Sequence, residues 1–231
     1  MSGPRFAIYF TPAPGSRLAR FGSAVLGYDC DRGVEVAPLV VPGLDPQAQA
    51  IAVTEPARYG FHATLVAPFR LDAETTEASL AADVASFAAG RAPVVLGRLS
   101  AGLIGGFVAL VRVGSQDDLM ALAADCVSAF SEHRAPLSTA DRERRLAAKL
   151  TPRQFELLDR WGYPYVFDEF RFHMTLAGPL PPDRRQQWCA ALGDAFAEQA
   201  DEEVTIDAMS LMRQDDRGTR FRVLMRAPLK A

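Results

Sequence analysis

Phe61-His62-Ala63-Thr64-Leu65-Val66-Ala67-Pro68-Phe69 recurs 111 residues later as Phe172-His173-Met174-Thr175-Leu176-Ala177-Gly178-Pro179-Leu180. Five of the nine positions are identical, and the two copies hold two of the chain's three histidines at the same place. Histidine has an unperturbed pKa of about 6.5, so near neutrality it both takes and gives protons. A paired His-x-Thr unit is the pattern expected of an acid–base site made by internal duplication.

The likeness continues beyond each motif. Leu71 to Gly90 carries Leu80, Val84 and Phe87 at the i, i+4, i+7 spacing of one helical face. Two β-rich runs follow, Val94 to Ile104 and Phe107 to Val113, joined by Gly105-Gly106. A glycine pair between such runs signals a hairpin, because the tight turns need positive φ. After the second motif, Asp183 to Ala200 carries Trp188, Leu192 and Phe196, and the runs Val204 to Arg213 and Thr219 to Arg226 flank a turn at Asp215-Asp216-Arg217-Gly218. His62 to Phe107 spans 45 residues and His173 to Phe221 spans 48, so order and spacing match as well as motif.

This predicts an α+β fold of two pseudo-symmetric lobes, each with motif strand, helix and β-hairpin, whose sheets line a central cleft. One two-lobed domain would cover residues 1–231, with a first motif unit at about 58–114 and a second at about 169–228. Residues 137–168 have no counterpart at the same place in the first half and read as a helical insertion. They hold two helix starts, Ser138-x-x-Asp141 and Thr151-Pro152-x-Gln154, the second helix stopping at Gly162. Ser115-x-x-Asp118 reads as a capping box for a helix with apolar face Leu119, Leu122, Cys126 and Phe130. Arg5 to Phe10 alternates like a strand, and Pro14 to Leu26 reads as a short helix.

Hydrophobic content of 49%, charged content of 23% and a net charge of −3 suit a soluble globular protein with no global basic footprint for nucleic acid. No stretch approaches a membrane span, and MSGPRFAIYF lacks the pattern of a secretory signal. Cys30, Cys126 and Cys189 are widely spaced, as free thiols in a reducing cytoplasm would be. The expected location is therefore cytoplasmic, with no membrane partner, and monomer is the default state. His133, outside both motifs, shows no evident chemistry.

On a strand, alternation sends His62 and Thr64 to one face and Phe61, Ala63 and Leu65 to the other. His173 and Thr175 behave the same way against Phe172, Met174 and Leu176. Two such pairs across a cleft suit attack at phosphorus. One neutral imidazole takes a proton from the nucleophile, the other gives one to the leaving oxygen, and the hydroxyls bond the phosphoryl oxygens. No acidic or cysteine cluster with ligand spacing accompanies them, so neither metal nor cofactor is expected. Strand parity and position add Tyr9, Tyr59 and Arg171 as candidate substrate contacts.

These residues resemble the two-histidine (2H) phosphoesterase superfamily, marked by paired H-x-T motifs on two α+β lobes. The wider context is similar to its phosphonate-metabolism-associated branch. That likeness runs through RFAIYFTPAPGSRLARFGSAVLGYD (residues 5–29), RYGFHATLVAPF (58–69) and FRFHMTLAGPL (170–180). The resemblance implies a catalytic role for His62, Thr64, His173 and Thr175. It also implies a small cyclic phosphodiester as substrate, such as a cyclic ribose phosphate from phosphonate breakdown. Where that branch carries a lysine after the first H-x-T-L, this chain has Val66, so any phosphate-contacting role of that lysine is absent here or supplied by another cation, such as Arg171 or Arg58. RNA ends bearing a 2′,3′-cyclic or 2′–5′ phosphodiester are the second substrate class. The basic stretch Arg142, Arg144, Arg145, Lys149 and Arg153 is either a phosphate-backbone contact or a solvated helix face. A protein that binds a phosphorylated metabolite without turning it over is the third reading.

Overall fold

A computed structural model describes residues 3–114, 117–147, 149–197 and 203–230. In chain order its strands and helices are β1 (Arg5–Phe10), α1 (Arg17–Leu26), β2 (Tyr28–Asp29), β3 (Val34–Glu35), α2 (Pro46–Ala57), β4 (Ala63–Phe69), α3 (Glu77–Ala89), β5 (Val94–Gly97), β6 (Leu99–Ile104), β7 (Phe107–Arg112), α4 (Asp117–Ala129), α5 (Thr139–Leu146), α6 (Pro152–Trp161), β8 (Met174–Ala177), α7 (Arg185–Phe196), β9 (Val204–Ile206), β10 (Ala208–Gln214) and β11 (Arg222–Pro228).

Local chemistry accounts for most boundaries. Ser16, Asp45, Thr76, Ser138 and Thr151 each accept a backbone N–H of the first turn of the helix they precede. α6 opens at the expected start, which the structure shows to be a capping box with proline in the first turn, and stops at Gly162, whose φ of 65° suits glycine. The faces read from periodicity are the buried ones: Leu80 and Val84 in α3, Leu119, Leu122 and Cys126 in α4, and Trp188, Leu192 and Phe196 in α7. Each large apolar side chain so buried contributes about 1.5–3 kcal/mol. Ser115 of the expected α4 capping box, and Ala200 at the expected end of α7, lie outside the described residues.

The α+β class is as expected. Seven strands form one antiparallel sheet in the order β11-β10-β1-β4-β8-β7-β6, while β5 pairs with β9 beside it. Apart from the edge strand β11, this order is unchanged when β1 is exchanged with β7, β4 with β8, and β10 with β6. The duplication is therefore real, but its unit differs from motif–helix–hairpin. The first unit runs from β1 to β6 and the second starts at β7. The Gly105-Gly106 hairpin joins the two units rather than closing the first.

β6, which follows the first motif, pairs in the half-sheet of the second motif strand, and β10 does the reverse; α3 likewise packs on β10 and β11, and α7 on β6 and β7. Each half of the molecule is thus built from both repeats. The stretch 137–168, read as an insertion, stands with α4 between β7 and β8 where α1 and α2 stand between β1 and β4. It has a positional counterpart. Missed in the sequence was α2, although Asp45-Pro46 is an N-cap and first-turn proline pair.

Candidate active site

The two motif strands meet at the middle of the sheet through one backbone pair, Ala63 with Met174. That antiparallel register runs His62 toward Thr175 and Thr64 toward His173. All four face one cavity of about 780 Å³, which Tyr9, Tyr59 and Arg171 also line. A cavity in the range of roughly 300–1,000 Å³ suits a small molecule.

Each histidine is held in the same way. After α2 the chain turns through Gly60, at φ 75°, and buries Phe61 against α1, where Gly22 leaves the room its ring occupies. A Cβ on Gly22 would lie 2.0 Å from that ring. His62 Nδ1–H donates to the Gly60 carbonyl at 2.8 Å, and His173 Nδ1–H donates to the Arg171 carbonyl at 2.9 Å. A carbonyl only accepts, so Nδ1 carries a proton in both rings and Nε2 is left as the nitrogen that can take or give one. The Thr64 hydroxyl donates to His62 Nε2 at 3.3 Å. Duplication extends to the hydrogen bond that sets the tautomer.

His62 is half-buried and pulled from 6.5 down to about 4, mainly by burial and also by the neighbouring His173, against the opposing effect of the Gly60 carbonyl. Its ring stacks on Tyr9 at 3.8 Å between centroids and 19° between planes. Tyr9 is fully buried, its hydroxyl has no hydrogen-bond partner among the described residues, and burial pushes its phenol well above the ordinary value. It therefore remains an uncommitted neutral donor. Tyr59, half-buried, lies 6.3 Å from the His62 ring and stacks on Phe221. Arg171 is exposed beside His173.

Other expectations separate here. Arg58 pairs with Glu55 and donates to the Arg217 carbonyl, so it is engaged outside the cavity lining. Val66 is buried and lines the cavity, with no cation in its place. His133 lies 3.4 Å from Asp83 and beside the Phe130 ring, away from this cavity. Most of the basic stretch is ion-paired: Arg142 with Asp159, Arg144 with Asp141, and Arg153 with Asp168 and Glu156. Arg145 instead faces the cavity. Among the described residues, no three His, Cys, Asp or Glu are grouped to hold a metal ion, and no helix is long and apolar enough to cross a membrane.

Sequence reasoning missed the wall that the segment from α4 to β8 builds over this site. Asp141 anchors it. Arg70 from the end of β4, Arg144 of α5 and Arg217 from the β10–β11 turn all converge on its carboxylate, and the Ser138 hydroxyl donates to it at 2.7 Å. Burial alone would raise its pKa, but Ser138 and the three guanidiniums hold it far below the usual carboxylate range. A depressed carboxylate stabilises the fold above its unfolded value of about 3.9, and that contribution is lost as pH falls through the folded value. Asp141→Asn should cost about 2–3 kcal/mol, less than for a fully buried pair because two of the arginines are more than a third exposed. Urea unfolding at pH 7 measures that loss. The variant should also lack much of the wild type's decline in stability below pH 4.

A family model for "Protein of unknown function (DUF1045)" matches residues 64–222, from within the first motif through the second. The chain is 39% identical over 176 residues, 76% of its length, to a protein of Janthinobacterium sp. (strain Marseille) named ribose 1,5-bisphosphate phosphokinase PhnN. It is 34% identical over 219 residues, 95% of its length, to a protein of the same name from Laribacter hongkongensis (strain HLHK9). The matches cover 39% and 50% of those relatives, so the chain spans half their length or less. Among solved structures, a phosphoesterase is 15% identical with full coverage of both chains and a TM-score of 0.44. A conserved protein of unknown function, ATU0111 from Agrobacterium tumefaciens str. C58, is 13% identical over 98% of this chain and 87% of its own, with a TM-score of 0.43. The family model spans well over half the chain, and the chain belongs to the DUF1045 family of proteins of unknown function.

Proposed function

We propose that this protein is a metal-independent phosphodiesterase of the two-histidine type that hydrolyses a small cyclic phosphodiester. The observation that carries this reading is the paired tautomer: both motif rings spend Nδ1–H on a backbone carbonyl two residues back, leaving Nε2 for chemistry in one cavity. The depressed basicity of His62 suits the general base, since it is neutral at physiological pH. His62 Nε2 takes a proton from water as its oxygen bonds to phosphorus. The bond from phosphorus to the ring oxygen breaks, and His173 Nε2–H protonates that oxygen, opening the cycle to a phosphate monoester. The Thr64 and Thr175 hydroxyls, and the free Tyr9 hydroxyl, are the available donors to the charged phosphoryl oxygens.

A ribose-derived cyclic phosphate is the favoured substrate. The curated relatives bear the name of an enzyme of ribose bisphosphate chemistry, and the sequence resembles a phosphonate-associated branch of 2H phosphoesterases. The ion pairing of Arg142, Arg144 and Arg153 leaves little of a free basic strip for an RNA backbone, which ranks the RNA-end reading second.

The test is a panel from ribose 1,2-cyclic phosphate through nucleoside 2′,3′-cyclic phosphates to RNA ends, assayed with and without EDTA. Turnover of a small cyclic diester, unchanged by EDTA, is expected. Stoichiometric binding without product would sink the catalytic reading, and steep loss of activity with salt on RNA ends alone would move the substrate to RNA. Because kcat/KM reports the free enzyme, its acid limb should lie near pH 4 rather than 6.5. The same shift weakens the fold in acid. The unfolded chain binds the proton at about 6.5 and the folded one at about 4, so stability should fall across that window by at most about 3 kcal/mol. His62→Gln should abolish that part of the pH dependence.

A further inference from the structure

The cavity holds more positive charge than its own acids neutralise. Among the described residues three carboxylates line it, and each is engaged: Glu55 with Arg58, Glu169 with the Gln154 amide at 2.9 Å, and Asp141 with three arginines. Arg134, which follows α4, and Arg145 of α5 also line it, and no carboxylate pairs with either among the described residues. Both are half-buried, and neutral groups hold them. The Arg134 guanidinium packs on bare Gly162, where a Cβ would lie 1.8 Å from its Nη2. The Arg145 guanidinium sits 4.9 Å above the ring of the next residue, Tyr163. Burial and the nearby Arg145 pull Arg134 down to about 10. The Asp141 carboxylate acts on Arg145 only from beyond ion-pair distance and is already shared by three other guanidiniums, so two like charges partly out of water stay undercompensated unless something anionic joins them.

The pair belongs to the same cavity as the histidines but not to the histidine–threonine quartet. Arg145 and Tyr163 are both within electrostatic reach of Tyr59, and Tyr163 is within reach of Tyr9, on which His62 stacks. Planar guanidinium groups match phosphate oxygens and cannot be deprotonated at neutral pH.

We infer that Arg134 and Arg145, beside Tyr163, form a second anion subsite that takes a phosphate monoester carried by the substrate away from the scissile diester. The substrate is then a cyclic phosphodiester bearing a second phosphate. This assignment rests on the phosphodiesterase reading of the quartet, but its test is separable.

The full chain is titrated with inorganic phosphate by calorimetry, as wild type, Arg134→Gln, Arg145→Gln and the double variant His62→Ala/His173→Ala. Wild type is expected to bind two phosphates per chain. Each arginine variant should weaken one of them by about 10-fold or more and leave the other, as loss of a charge-assisted bond predicts. The double histidine variant should keep the arginine-dependent phosphate. Melting curves check folding, and Arg145→Gln stands alone if Arg134→Gln, packed on Gly162, fails to fold. A single wild-type phosphate, or two that both survive in Arg145→Gln, would overturn the subsite while leaving the quartet's reading intact. Two phosphates that both survive the histidine substitutions, one of them lost with Arg145, would support the subsite and count against the quartet as a phosphate site.

Discussion

His62→Ala and His173→Ala are each expected to lower kcat on the cyclic diester by at least about 10²-fold, and by up to about 10⁴-fold, the range for a lost general acid or base. Each ring has Nδ1 fixed by a backbone carbonyl and Nε2 turned to the cavity, and the Thr64 hydroxyl that bonds His62 Nε2 cannot replace it as a base. The two substitutions differ in their side effects. His62 lies against the Tyr9 ring, so its removal leaves an apolar void and should lower the melting temperature as well. His173 stacks on no aromatic ring among the described residues, and its loss should reach kcat with a smaller change in stability. The double variant should be scarcely slower than the worse single one, because groups acting in one transfer are not additive. Turnover near wild type in both single variants would remove the acid–base assignment.

Gly60→Ala should be the most damaging small change. Gly60 sits at φ 75°, where an L side chain costs roughly 1–2 kcal/mol. A Cβ there would also lie 2.4 Å from Cys30 Cβ and 2.7 Å from its Sγ. The nearer atom is the stem of a buried residue rather than a movable tip, so backbone must shift. A combined loss of about 3–4 kcal/mol is expected. Since the Gly60 carbonyl accepts the His62 Nδ1–H, kcat should fall too. Gly105→Ala is the control: it has a similar φ of 58° with nothing within 4 Å, so it isolates strain from collision. Cys30→Ala should not rescue Gly60→Ala, because the colliding Cβ remains. Denaturant unfolding of the three variants checks the ordering, and equal losses at Gly60 and Gly105 would refute the collision.

How much of this was legible in the sequence depends on the range of the interaction concerned. Helices α3, α6 and α7 could be read from periodicity and caps within their own residues. The hairpin turn at Gly105-Gly106 was equally visible. Its topological meaning was not, because whether the β6–β7 hairpin joins the sheet on the β4 side or, through β7, on the β8 side depends on which partner edge is open. That is a tertiary matter. The same limit hid the role of residues 137–168. Their caps were plain, but the likeness of position to α1 and α2 has no sequence counterpart. Arg145 was seen as one of five basic residues in a row of charges. Only folding set it over the Tyr163 ring, in an ion pair with no carboxylate among the described residues, while Arg142, Arg144 and Arg153 went to theirs.

By itself, the sequence determined that one His-x-Thr unit is used twice, and that each places imidazole and hydroxyl on one side of an extended chain. Both follow from residue identity and the two-residue period of a strand, which need no distant partner. Only the tertiary structure decided that the two units meet at a single Ala63–Met174 pair, that Tyr9 lies under His62, and that burial holds that imidazole neutral. It alone decided that Arg134 and Arg145 share a cavity with them. Desolvation and charge proximity are properties of space, and residues far apart in the chain share a space only once it has folded.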